Sequence, residues 1–251
     1  MHEARDRRVE LRFYEELNDF LEPGRRRRSF EVVLHGPRSV KDLVQSLGVP
    51  HTEIDLILVD GVSVGFGHRI EGGERIAVYP TFERFDVREV TRLRPRPLRT
   101  PRFVCDVHLG HLARDLRTLG FDTLYEHDLD DDTIVDLAVD EHRIVLTRDR
   151  GILARNAVTH GHWVRATDPD RQVAEVARAL DLVGSVDLFA RCRACNGVLE
   201  PVAKDAIVDR LPPRVAAAYD DFTRCAGCGR IYWEGSHVDR MRERLERLVG
   251  S

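Results

Sequence analysis

The sequence has no apolar run near the ~18 residues that a membrane-crossing helix requires, so a membrane-embedded protein is not expected. Its opening residues, MHEARDRRVELRF, are charged and lack the apolar stretch of a secretory signal, which makes a cytoplasmic protein the expectation. Cysteine is scarce, with five in 251 residues, and charge of neither sign dominates, the formal net value being −4. Disorder is excluded as well, because hydrophobic residues make up 42% of the chain, enough for real cores. A chain of this length is more than one small core needs, so two or three compact units are expected.

Net charge says little about partners, but its distribution says more. Lys and Arg against Asp and Glu number 18 against 17 in residues 1–100, 10 against 17 in residues 101–190, and 11 against 9 in residues 191–251. The middle third is therefore acidic, with neutral to basic flanks. An acidic surface repels a polyanion unless the acids are concentrated where cations bind.

In the N-terminal part, VELRFYEEL and SFEVVL read as strands joined by a polar stretch holding Arg25 to Arg28. SVKDLVQSLG has helical spacing, with Val40, Leu43, Val44 and Leu47 on one face, Ser39 placed to cap it and Gly48 to end it. IDLILVDG and ERIAVYP follow as two β-rich runs. Strand, strand, helix, strand, strand in about 80 residues is a compact α+β unit. That order, with the phrases LILVDG and GGERIAVYP, resembles the ubiquitin-like β-grasp fold of the ThiS and MoaD sulfur carriers over roughly residues 8–85. Those carriers end in a free Gly-Gly, whereas here the last strand runs on through YPTFERFDVREV. Carrier chemistry is not expected, and substrate positioning or binding of a protein partner fits better. RLRPRPLRTPR then carries five arginines and three prolines, an extended linker or strap able to touch phosphate.

From residue 102 strands and helices alternate: RFVCD, HLGHLARDLRTLG, FDTLYEH, DDDTIVDLAVDEH, RIVLTRD, RGILARNA, GHWVRAT and DRQVAEVARALDLV. Alternation at this spacing means βαβ units around a parallel sheet. Ligands of such sheets bind beyond the carboxyl ends of the strands. Asp106 follows RFVC, Asp149 lies just past RIVLT, and Asp130, Asp131 and Asp132 open the helix before that strand. Carboxylates gathered there repel one another, and a hard divalent cation with oxygen ligands, Mg²⁺ or Mn²⁺, removes that penalty and activates water against a phosphodiester. Each acid taken singly is also a good helix cap. Arg114 and Arg117 lie along the first helix, while Arg148 beside Asp149 is the better placed phosphate clamp. His108 and His111 put two imidazoles near the same end, as phosphate contacts, proton shuttles or simply exposed helix residues.

The four remaining chemical residues are Cys192, Cys195, Cys225 and Cys228, two Cys-x-x-Cys pairs. A lone pair of this kind suggests redox chemistry, whereas two suggest a closed tetrahedral zinc site. Cys105, inside RFVCD, reads as a buried strand residue. Residues 200–222 are expected to loop out between the knuckles. Arg191, Arg193, Arg224 and Arg230 flank the cysteines, and Tyr232 and Trp233 either stack on bases or pack the ribbon.

FVCDVHLGHLARDLRTLGFDTLY, DDDTIVDLA and RIVLTRDRGIL together closely resemble the Mut-seven C-terminal RNase domain, a branch of the PIN-like nucleases. The resemblance implies an α/β, PIN-like parallel-sheet domain with a C-terminal zinc ribbon, preceded by the ubiquitin-like module. It implies Asp106, Asp131 and Asp149 as metal-binding and catalytic acids, Asp131 being chosen over its neighbours because it lies seven residues before Ala138, with Asp136 a weaker fourth. Arg114 and Arg148 are the expected substrate contacts, zinc the structural metal, and Mg²⁺ or Mn²⁺ the catalytic one. The expected divisions are residues 1–91, a linker at 92–101, the nuclease at 102–188 and the ribbon with its closing helix at 189–251. RNA is the expected partner, with tRNA or rRNA as structured examples. The rival expectation is a non-catalytic RNA-binding or adaptor protein working through the ribbon and the ubiquitin-like module.

Overall fold

The computed structural model describes residues 7–80 and 101–249, and within the final helix the side chains of residues 236, 237 and 249 are outside the description. The linker arginines Arg94, Arg96 and Arg99 lie outside the described residues. No described helix is long and apolar enough to cross a membrane. The chain divides into two compact units, Met1–Arg99 with Asp149–Trp163, and Thr100–Arg148 with Val164–Ser251.

In the first unit the elements are β1 (Arg7–Phe13), β2 (Phe30–Leu34), β3 (Arg38–Ser39), α1 (Val40–Ser46), β4 (Ile54–Val59), β5 (Val62–Ser63), β6 (Arg69–Ile70) and β7 (Arg75–Pro80). The main sheet runs β2-β1-β7-β4-β5, and β3 pairs with β6 in a small separate ribbon. β1 and β7 are parallel at the centre, and the outer pairs are antiparallel. Alternation along β1 buries Val9, Leu11 and Phe13 against Val40, Leu43 and Val44 of α1, which is the β-grasp arrangement. The Ser39 hydroxyl accepts from the Asp42 amide at 3.0 Å, and Gly48, at φ +87°, ends the helix where a side chain would be strained. Further along the chain, α4 (Arg150–Ala154) and β11 (Gly161–Trp163) belong to this same unit. Gln45 donates to the Ala154 carbonyl at 2.9 Å, Glu53 accepts from the Trp163 amide, and the Arg150 guanidinium lies 3.9 Å from the Trp163 ring centroid.

The second unit is built on β8 (Arg102–Cys105), α2 (Gly110–Thr118), β9 (Asp122–Leu124), α3 (Asp131–Asp140) and β10 (Ile144–Thr147). β8 lies between β10 and β9 and is parallel to both. Phe103, Val104, Cys105, Val145 and Leu146 are fully buried. Strands covered on both faces show such continuous apolar runs in place of alternation. α5 (Pro169–Ala179), capped by Asp168, packs on α2 and on the C-terminal helix.

The ribbon is a three-stranded antiparallel sheet of β12 (Leu199–Val202), β13 (Phe222–Cys225) and β14 (Ile231–Trp233), with α6 (Pro213–Ala218) between the first two and α7 (Ser236–Val249) after them. Residues 200–222 are not a free loop: they complete β12 and close a small core in which Ile207, Leu211 and Phe222 are buried. Apolar residues spaced through that stretch, invisible to a reading of cysteine spacing, hold it down.

Candidate functional site

Asp106 stands at the carboxyl end of β8, the middle of the three parallel strands, where such sheets present their ligands. Its side chain is 3% exposed. Oδ1 accepts from the His108 amide at 2.8 Å, and Oδ2 accepts from the Thr147 hydroxyl at 2.5 Å and the Arg148 amide at 2.6 Å. These three donors fix the carboxylate in place and join the ends of β8 and β10. A carboxylate offers about four acceptor directions, and these donors occupy three of them.

The other sequence-predicted acids are exposed. Asp131 is the first residue of α3 and Asp136 lies one turn further, while it is Asp130 whose side chain caps the helix by accepting from the Thr133 amide at 2.8 Å. Asp149 caps α4 through Gly151, 2.7 Å away, and falls in the other compact unit. Arg114 is partly exposed on α2, and the Arg148 guanidinium donates to the Ala166 carbonyl. His108 and His111 are exposed.

Among the described residues, the group in which three or more His, Cys, Asp or Glu ligand atoms gather within 4.8 Å is Cys192, Cys195, Cys225 and Cys228, and the carboxylates are outside it. Cys192 and Cys228 place their sulfurs 3.7 Å apart, and Cys195 and Cys225 place theirs 3.4 Å apart. Four thiolates around Zn²⁺ at about 2.3 Å have tetrahedral edges of about 3.8 Å, so the donor set fits a structural zinc. Gly197 belongs to the cradle: a Cβ there would meet the Cys225 sulfur at 2.7 Å. Burial opposes ionisation of Cys192, yet the Tyr232 hydroxyl at 3.0 Å and the amides of Cys195 and Ala194 outweigh it and bring the thiol down to about 6. Cys195 is pushed up to about 12, by burial and by hydrogen bonds in which its protonated thiol donates to neighbouring cysteines. A cation removes that conflict by taking all four as thiolates.

Sequence reasoning missed the groups that fasten the ribbon to the sheet. Arg117, 4% exposed, donates from Nε to the Thr123 carbonyl at 2.9 Å and from one terminal nitrogen to the Ala194 carbonyl, inside the first knuckle, at 3.0 Å. Asn196, held at φ +71°, accepts from the Thr123 amide at 2.9 Å and donates to Asp122 at 2.7 Å. Asp122 also receives Arg143 at 2.7 Å, and its carboxyl is down to about 2 because Arg143 and Asn196 overcome the cost of burial. The one available signal was polar residues inside apolar elements, Arg117 on α2 and Arg143 before IVLT.

Comparison with protein families matches the Mut7-C RNAse domain over residues 101–245 and the Mut7-C ubiquitin domain over residues 7–86. No curated protein and no solved structure matches.

Proposed function

The chain belongs to the Mut7-C RNase domain family, with the family's ubiquitin-like module ahead of it, and on that footing we propose that it is a metal-dependent ribonuclease that hydrolyses RNA phosphodiesters. The observation that carries the reading is Asp106, a buried carboxylate held by three donors at the end of the middle parallel strand. Asp106, Asp131 and Asp149 are the ligands proposed for Mg²⁺ or Mn²⁺, and Arg114 and Arg148 the phosphate contacts. Such a cation supplies a bound water of lowered pKa and a positive charge against the phosphoryl oxygen. The chain's own part is to hold the acceptor oxygens of Asp106 in one orientation and to present guanidinium groups to the scissile phosphate. Structured RNA such as tRNA or rRNA is the proposed substrate, and reduced thiols serving as zinc ligands suit a cytoplasmic setting.

A second reading, a non-catalytic RNA-binding or adaptor protein, is favoured by the capping roles of Asp130 and Asp149. Labelled RNA incubated with zinc-loaded protein, with and without added Mn²⁺, separates the two. Cleavage that appears with Mn²⁺ supports the nuclease. Binding without cleavage at any Mn²⁺ concentration, in protein of full zinc content, leaves the second reading.

A further inference from the structure

Arg117 is buried on α2, and among the described residues no carboxylate pairs with it. The partners of its side chain are all carbonyl oxygens: Thr123 at 2.9 Å, Ala194 at 3.0 Å, Tyr125 at 3.3 Å and Arg193 at 3.5 Å. Burial holds its pKa below the usual guanidinium value, and the sulfurs of Cys105, Cys195 and Cys192 pull the other way. A buried cation needs an opposite charge close by. Zinc closed by four thiolates is a net anion, and Arg117 touches that knuckle at Ala194, between its first two ligands.

The same guanidinium leads toward the end of β8. It grips the carbonyl of Tyr125, and the Tyr125 hydroxyl donates to the Val107 carbonyl at 3.3 Å, one residue past Asp106. The Tyr125 ring also lies on Gly110, where a Cβ would come within 2.6 Å of the hydroxyl oxygen, so a glycine is what leaves it room. Val107 opens and Gly110 closes a single 3-10 turn, Val107–Leu109. The His108 amide in the middle of that turn is the donor to Asp106 Oδ1. Oδ2 is held separately, by Thr147 and Arg148 from the β10 side.

We propose that the zinc knuckle sets the Oδ1 side of the Asp106 carboxylate through two positioning residues, Arg117 and Tyr125, so that the metal state of the ribbon is felt at the end of β8. The loaded knuckle keeps Arg117 seated, Arg117 keeps Tyr125 in place, and Tyr125 braces the turn that carries the His108 donor. Loss of the metal removes the anion beside Arg117, and the brace loosens from that end. The consequence for catalysis rests on the reading of Asp106 as a catalytic acid, but the coupling itself is tested without turnover.

Amide hydrogen exchange in the full chain, resolved by residue, reads it directly. Stripping zinc from the wild type should speed exchange at His108 about fivefold, the loss of one hydrogen bond, and move Arg148, which answers to Oδ2, much less. Tyr125→Phe at full zinc content should speed His108 to the same degree, and stripping its zinc should then add nothing there. Arg117→Lys keeps the charge but cannot span the Ala194 and Tyr125 carbonyls together, so it should speed His108 with zinc still bound. His108 exchange that ignores zinc in the wild type, or still answers to zinc in Tyr125→Phe, overturns the proposal. So does an equal rise at His108 and Arg148, which a merely loosened fold produces. If zinc-free protein precipitates, the two variants decide: faster His108 exchange in both upholds the coupling, and no change in either one overturns it. Cleavage by the same samples separates the two readings. In Tyr125→Phe, kcat should fall about fivefold with KM for RNA unchanged, and an unchanged kcat overturns the positioning role. No cleavage by any zinc-loaded sample, wild type included, would instead sink the nuclease reading and leave the coupling standing.

Discussion

Because three donors converge on the Asp106 carboxylate, an Asn there turns an amide N–H toward at least one of them. Asp106→Asn should therefore cost about 1–3 kcal/mol of stability as well as abolishing cleavage, and melting must be measured beside activity. Asp131 is exposed, so Asp131→Asn should lose metal-dependent cleavage with the melting temperature unchanged; activity within a few-fold of wild type removes Asp131 from the site. Asp122 gives a pH test. Its folded carboxyl lies near 2 against an ordinary 3.8, so the stability it contributes is full above about pH 4 and is lost as pH falls from there toward 2. Asp122→Asn should be less stable than wild type at neutral pH, by about 1–3 kcal/mol, since buried Arg143 then keeps Glu141 as its charge partner but loses the carboxylate of Asp122. The gap should close in denaturation curves taken near pH 2. A constant gap from pH 7 to pH 2 contradicts the assignment.

At the level of elements, the readable parts of the fold were those set by near neighbours. Ser39, Asp42 and Gly48 frame α1 within one short stretch, and alternation along VELRF gave β1 its buried face. Runs such as FVC and IVL announced strands covered on both sides. The cysteine cluster was readable because each pair is only three residues apart and knuckle spacing has few other uses. Asp106 was placed at its strand end for the same reason. What binds the elements together was hidden: Arg117 reaches across 77 residues to Ala194, and Asn196 across 73 to Thr123. No local pattern encodes those pairs. They also tie the first knuckle to β9, the edge strand of the parallel set. Removing zinc with a strong chelator should thus raise amide hydrogen exchange in β9 and α2 as well as in the ribbon. Exchange confined to residues 189–233 would mean that β9 and α2 hold without the first knuckle. Arg117→Met should destabilise the fold by about 2–4 kcal/mol, leaving buried carbonyls without donors, and should speed zinc release.

For the molecule as a whole, the question is how an acidic middle third meets a polyanion. The basic groups lie elsewhere in the sequence, in Arg25 to Arg28, in the linker at Arg94, Arg96 and Arg99, and around the ribbon at Arg191, Arg193 and Arg230. Each phosphate contact removed should flatten the dependence of RNA affinity on salt by roughly 0.7–0.9 in logarithmic slope. Changing Arg94, Arg96 and Arg99 together to Ser should weaken binding and lower that slope, with cleavage at saturating RNA preserved. Unchanged affinity and slope would make the linker a solvated tether. The hold of Arg117 and Asn196 on the first knuckle also bears on how the chain can be divided. A chain shortened before residue 189 would deprive the Thr123 amide and the Asp122 carboxylate of Asn196, and the Arg117 guanidinium of its knuckle carbonyl, all at once. It would expose the edge of β9, a row of hydrogen-bonding groups open to a second copy. The ribbon is thus also a guard against aggregation, and a shortened nuclease should precipitate before it can be assayed.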